Sequence, residues 1–198
     1  MADADSESNL LQVEMGNKQP LYWRSELYTQ ALTDSDYDYP LPARMIAIQA
    51  AYITTTSGGV STDRLIFPLS AFEYAALPDK TTAGSVTTYW YDRQITPIIY
   101  LWQPPDIASS TTQTLKLRIL SQIQDVSLAS GTTLDMPYRA LDVFVAGLAY
   151  RLSRVYAPDK EPARKADYME AWANFTLQDT EDSVPLYVQP NFTGYWRA

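Results

Sequence analysis

Two adjacent stretches carry opposite periods: Thr114–Gln124, TLKLRILSQIQ, and Leu134–Pro158, LDMPYRALDVFVAGLAYRLSRVYAP. In the first, Leu115, Leu117 and Ile119 alternate with Lys116 and Arg118, which predicts a strand with one buried face. In the second, Leu141, Phe144, Val145, Leu148, Leu152 and Val155 recur at three- and four-residue steps, the period of a helix. Pro137 suits a helix start, with Asp135 before it as N-cap, and Pro158 ends the helix. Gly147 and Ala149 leave room for a close neighbour. A second helix follows over 163–178, with Ala166, Met169, Ala173 and Leu177 on one face and Trp172 beside it. The fold class is therefore α+β: a β-rich region over about 21–135, then an antiparallel helical hairpin over 136–182.

Upstream, the strand-forming segments are Tyr22–Leu32, Met45–Thr56, the short Arg64–Phe67, and the aromatic pair Thr87–Tyr91 and Ile98–Trp102, which reads as a hairpin. Gly58-Gly59 ends the second of these. Ser70 with Glu73 has capping-box spacing and predicts one helical turn. Residues 1–20 read as a polar leader, for which a short helix and a disordered segment that orders on assembly both stay open. Residues 183–198 form an extended, aromatic tail punctuated by Pro185, Pro190 and Gly194. Tyr187, Phe192, Tyr195 and Trp196 are its candidate docking residues, since a segment this short cannot bury its own rings. Folding back onto its own domain is the alternative. Leu141, Phe144, Leu148, Leu152, Met169 and Trp172 are the candidate helical assembly core.

Composition narrows the chemistry. The 198-residue chain has no His and no Cys, so Ser-His-Asp triads, Cys-His nucleophiles, His-ligated metals and disulfides are excluded. Its formal charge is −8, with no basic cluster, which argues against tight phosphate binding. Tyr and Trp, 15 and 5 residues, are abundant, as suits either contact surfaces or exposed strands. Asp34-x-Asp36-x-Asp38 matches the start of a calcium loop, but Tyr39 and Met45 stand where Gly and Glu belong. No catalytic residue, metal site or cofactor is expected, and no segment reads as membrane-spanning. Trp90 and Trp102, with Asp92 or Glu73, leave a carboxylate-based carbohydrate-active role open, and a free-standing receptor-binding or capsid-decoration module is a separate alternative.

Three stretches resemble the head-to-tail adaptor, or connector, proteins of tailed phages, and are similar to the tail tubular protein A type of short-tailed phages. They are Phe67–Lys80 followed by Gly84; Tyr89–Arg93 leading to Ile99–Asp106, with Gln103 as an added residue; and Leu134–Leu141, Gly147–Leu152, Tyr156–Pro158 and Tyr168. The match covers roughly residues 22–182. The resemblance implies a virion protein at the head-to-tail junction, assembled in the bacterial host cytoplasm. It implies a homo-oligomeric ring, a dodecamer, joining the portal ring to a downstream nozzle or tube protein, with DNA passing through its lumen unbound. One departure matters: family members often begin with a longer helical segment. Here the short leader implies a smaller bundle, or one completed by neighbouring subunits.

Overall fold

The computed structural model describes residues 2–18, 21–123 and 134–179. The architecture is α+β: a curled seven-stranded sheet and a group of helices. The strands are β1 (Ser25–Ala31), β2 (Asp38–Pro40), β3 (Met45–Ser57), β4 (Val60–Leu69), β5 (Thr88–Asp92), β6 (Ile98–Trp102) and β7 (Thr111–Ser121). The helices are α1 (Ala2–Lys18), α2 (Ala71–Ala75), α3 (Leu141–Tyr156) and α4 (Glu161–Gln178). In space the strand order is β1-β7-β3-β4-β5-β6-β2.

The alternation in β7 sets the inner face. Leu115, Leu117 and Ile119 are buried, and antiparallel pairing with β1 and β3 on either side makes β7 an interior strand. Gly58 and Gly59 adopt positive φ, 57° and 80°, the backbone a two-residue hairpin turn needs. β4 is longer than the expected Arg64–Phe67: Val60–Asp63 pair with β3 while exposed, and exposed strand residues leave no apolar pattern to read. β4 then changes partner, running parallel to β5 over Phe67–Leu69. That crossover contains α2, whose Ser70 and Glu73 form the expected capping box. β5 and β6 make the expected hairpin. Residues from β2 to β7, including Tyr39, Ile53, Ile99, Leu101 and Leu117, share one core inside the curl.

A second core is helical and draws on α1, α3 and α4. The leader is a helix, with Leu11 and Met15 fully buried, so the bundle's third helix comes from the same chain. Its buried face is half polar, Ser8, Leu11, Gln12 and Met15, which hides it from a search for apolar periodicity. The start of α3 also differs from expectation. Asp135 is not an N-cap; it pairs with Arg24, and a 3-10 turn over Tyr138–Ala140 leads into the helix.

Arg24 ties the two cores together. Its guanidinium is buried and donates to the Gln122 carbonyl at 2.7 Å and to Ser121 Oγ at 3.3 Å, at the end of β7. Burying a guanidinium is tolerated because each side of the fork meets an acceptor. Among the described residues, no helix is long and apolar enough to cross a membrane. Arg24→Met should destabilise the chain by about 2–4 kcal/mol, because carbonyls lose buried donors. Asp135→Asn should cost below about 1 kcal/mol, since that carboxylate is half-exposed. Denaturant titration of both variants checks the order.

Candidate assembly site

The helical bundle is organised around a missing side chain. A Cβ on Gly147 would lie 2.8 Å from Leu11 Cδ1 and 2.9 Å from Tyr168 Cε2. Glycine on α3 thus lets α1 and α4 approach it at the same level. Neither neighbour can give way easily: Leu11 is fully buried, and the Tyr168 ring stacks on Tyr150 at 6.1 Å.

A charged network locks α1 onto this point. Arg151 on α3 donates to Glu7 at 3.0 Å and to Glu14 at 2.5 Å, both on α1. Lys18 bonds Glu14 at 2.7 Å and donates to the Tyr168 hydroxyl at 3.0 Å. Its ammonium sits 4.4 Å from the Tyr168 ring centre and 4.8 Å from that of Trp172. Burial alone would raise the Glu14 carboxyl, but hydrogen bonds from Lys18 and Arg151 outweigh it and hold Glu14 below its ordinary range. Burial works against the charge on Lys18 and Arg151 too, yet the Glu14 carboxylate leaves both above their usual values. Tyr168 is pushed up, first by burial.

The candidate assembly residues divide between two faces. Phe144 is buried in the bundle, and Trp172 is partly buried against Phe175 and Tyr168. Leu141, Leu148 and Leu152 are half-buried. Met169 is 62% exposed and Leu177 77% exposed, so the stripe read from the sequence of α4 faces away from the subunit's core. The inner face of α4 is Tyr168, Ala171 and Phe175 instead. On α3, Val145 and Val155 also point outward, at 63% and 65% exposure. Sequence reasoning missed Val143, Arg151 and Phe175; the spacing Tyr168, Trp172, Phe175 was the available signal for α4. The tail residues Tyr187, Phe192, Tyr195 and Trp196 lie outside the described residues.

The residues considered for carbohydrate chemistry have other engagements. Trp90 stacks on Tyr100 at 4.9 Å and on Tyr74 at 5.3 Å, holding α2 against the hairpin. The Trp102 indole N–H donates to the Asp79 carbonyl at 2.8 Å. Glu73 accepts from the Ser70 N–H at 2.7 Å, and Asp92 from Gln94 at 2.7 Å. Asp34 accepts from the Ile107 N–H at 2.8 Å, fixing its turn against the residues after β6. Lys80 closes the other end of α2 by donating to the Ala75 and Leu77 carbonyls. Among the described residues, no group of three or more acidic side chains gathers as a metal site.

The described residues form a packed scaffold with apolar side chains of α3 and α4 turned outward, as suits a structural protein that meets other chains. The family model for the SU10 adaptor protein matches residues 4–189, and the chain belongs to that phage adaptor family. The family implies a place at the head-to-tail junction of the virion and contact with portal and tail proteins. No curated protein matches the chain.

Gly147→Val should cost about 1–3 kcal/mol by overpacking against Leu11 and Tyr168. Gly16→Ala, where a Cβ meets nothing within 4 Å, should stabilise α1 by about 0.5–1 kcal/mol. Opposite shifts in melting temperature are the expected readout. The Glu14 contribution has a defined pH window. A carboxyl that titrates lower in the folded chain stabilises fully above its unfolded value and loses that contribution as pH falls through its folded value. Acidification below about pH 4 should therefore release α1 first, seen as faster amide exchange over 8–15, and Glu14→Gln should flatten that dependence.

Proposed function

We propose that this adaptor assembles as a homo-oligomeric ring, a dodecamer of the tail tubular protein A type, joining the portal ring to the downstream nozzle or tube protein. The observation that carries the reading is α3. Val143, Phe144 and Gly147 are buried against the bundle, yet a second apolar stripe of Leu141, Val145, Leu148, Leu152 and Val155 is left half-buried or exposed. Val145 and Val155 on α3, and Met169 and Leu177 on α4, are large apolar side chains left in water. Two different faces of one bundle, each needing cover, suit a head-to-tail contact, which closes into a ring when the rotation allows. Leu141, Leu148 and Leu152 belong to the same interface. The antiparallel relation of α3 and α4 is supported by Asp142 and Val143 lying beside Phe175 and Gln178.

The adaptor domain over 21–182 acts as one unit with the leader over 1–20, whose α1 packs into its bundle, and residues 183–198 form a docking tail. Tyr187, Phe192, Tyr195 and Trp196 dock on the portal or a neighbouring copy, with Tyr195 and Trp196 as anchors; prolines keep the segment extended and lower the entropy lost on docking. The net charge of −8 per copy supports a lumen that gives DNA phosphates no ion partners. Assembly takes place in the host cytoplasm and needs no cofactor.

Val145→Asp and Met169→Asp test the ring. Both positions are exposed, so each variant should keep the fold to within about 0.5 kcal/mol. Native mass spectrometry on portal-bound complexes should show the higher oligomer lost in each; a ring that survives both substitutions overturns the interface. Deleting 184–198 should leave circular dichroism near native and abolish portal pull-down.

A further inference from the structure

A cleft of about 350 Å³ opens at the seam of the two cores, between the last turns of α1 and the ends of β3 and β7. Gln12, Val13, Leu21, Ile46, Leu120 and Ile123 line it. Gln12 is only 3% exposed, yet neither its amide oxygen nor its amide nitrogen has a hydrogen-bond partner. Buried amides almost always find partners, so an orphaned one marks a place where a partner is due. A primary amide offers acceptor and donors in one plane, the complement of a peptide unit in an extended chain. Val13, Leu21, Ile46, Leu120 and Ile123 make one apolar wall that suits an aliphatic side chain, while Asn17, Lys18, Ser121 and Gln122 add polar groups for a main chain. The ligand this chemistry describes is an extended segment with an aliphatic residue.

The point where the chain leaves the bundle identifies the segment. Asp179, one residue past α4, accepts from the Tyr22 N–H at 3.3 Å and from Arg139 at 3.0 Å. Tyr22 follows Leu21, a wall of the cleft. The chain is therefore tied down at the cleft's rim, and residues 180–198 continue from there. Thr180-Glu181-Asp182-Ser183 is a polar spacer, and Val184-Pro185-Leu186 is the first apolar stretch beyond it. Six extended residues reach about 20 Å, enough to enter the cleft from Asp179.

We propose that Val184-Pro185-Leu186 seats in the cleft of its own subunit, with its main chain on the Gln12 amide and Leu186 against the apolar wall. The inference rests on the reading of residues 183–198 as a docking arm: the seat fixes the arm's root, and Tyr187 to Trp196 project from it toward the partner. A rooted arm loses less entropy on docking than one that swings from Asp179.

The chain has no Cys, so an introduced pair reports only its own proximity. Full-length Val13→Cys/Leu186→Cys, mildly oxidised, should form an intramolecular disulfide within the monomer, mapped by mass spectrometry. Cross-linking between two chains, when the single variants Val13→Cys and Leu186→Cys are mixed, would show a neighbour's tail in the cleft and overturn the proposal. So would efficient coupling of Val13→Cys to Val126→Cys, in the segment after Ile123, with none to Leu186→Cys. Independently, the Leu186 and Tyr187 amides should exchange at least about tenfold slower than in a free peptide, and Gln12→Leu should remove that protection. Free-peptide exchange in the unsubstituted chain overturns the proposal even if the variant fails to fold. Portal-bound rings are scored on the reduced protein: rings without the disulfide defeat this inference alone, whereas the disulfide without rings defeats the adaptor assembly.

Discussion

The approach of three helices at Gly147 is the constraint on which the helical half of the molecule depends. With hydrogen in place of a side chain, α3 can touch Leu11 on α1 and Tyr168 on α4 at one level. Close packing of this kind tolerates little added volume, because interiors are packed as densely as organic crystals. The aromatic line Tyr150, Tyr168, Trp172 and Phe175 extends outward from that contact. The ion network of Arg151, Glu7, Glu14 and Lys18 then encloses it. The network adds orientation more than raw stability, since partly buried charges give back much of their Coulomb energy as desolvation.

The sheet and the bundle are coupled through few, chemically distinct contacts. Arg24 joins the end of β7 to the segment entering α3, and Asp179 joins the end of α4 to the segment entering β1. Both are buried or nearly buried polar groups that bridge chain segments far apart in sequence. An adaptor that must hold a fixed angle between its two halves gains from such joints: hydrogen bonds specify direction, whereas apolar contacts alone permit sliding.

Both halves enclose a core and both leave large apolar side chains in water: Val60, Leu65 and Phe67 on β4, and Val145, Val155, Met169 and Leu177 on α3 and α4. In the SU10 adaptor family, to which the chain belongs, exposed apolar side chains of this kind suit contact with portal and tail proteins. The stacked cluster of Tyr74, Trp90 and Tyr100, with α2 capped at both ends, braces the crossover between β4 and β5.

The sequence by itself determined those elements whose signal is local. The alternation of Leu115, Leu117 and Ile119, the two glycines after β3, the Ser70–Glu73 box and the aromatic hairpin are each written within a dozen residues, and each forms as read. Tertiary structure alone decided three matters. It made the leader a third helix, because a face of Ser8, Leu11, Gln12 and Met15 is half polar and becomes a core face only against α3. It drew Asp135 away from a cap, because a buried guanidinium outbids a backbone N–H for a carboxylate. It chose which side of α3 and α4 turns inward, since each helix offers more than one apolar stripe: Val143, Phe144 and Gly147 against Leu141, Val145 and Leu148 on α3, and Tyr168, Ala171 and Phe175 against Met169, Ala173 and Leu177 on α4. Periodicity can show that a helix has apolar faces; only the neighbour that arrives, here Leu11 against Gly147, settles which one is covered.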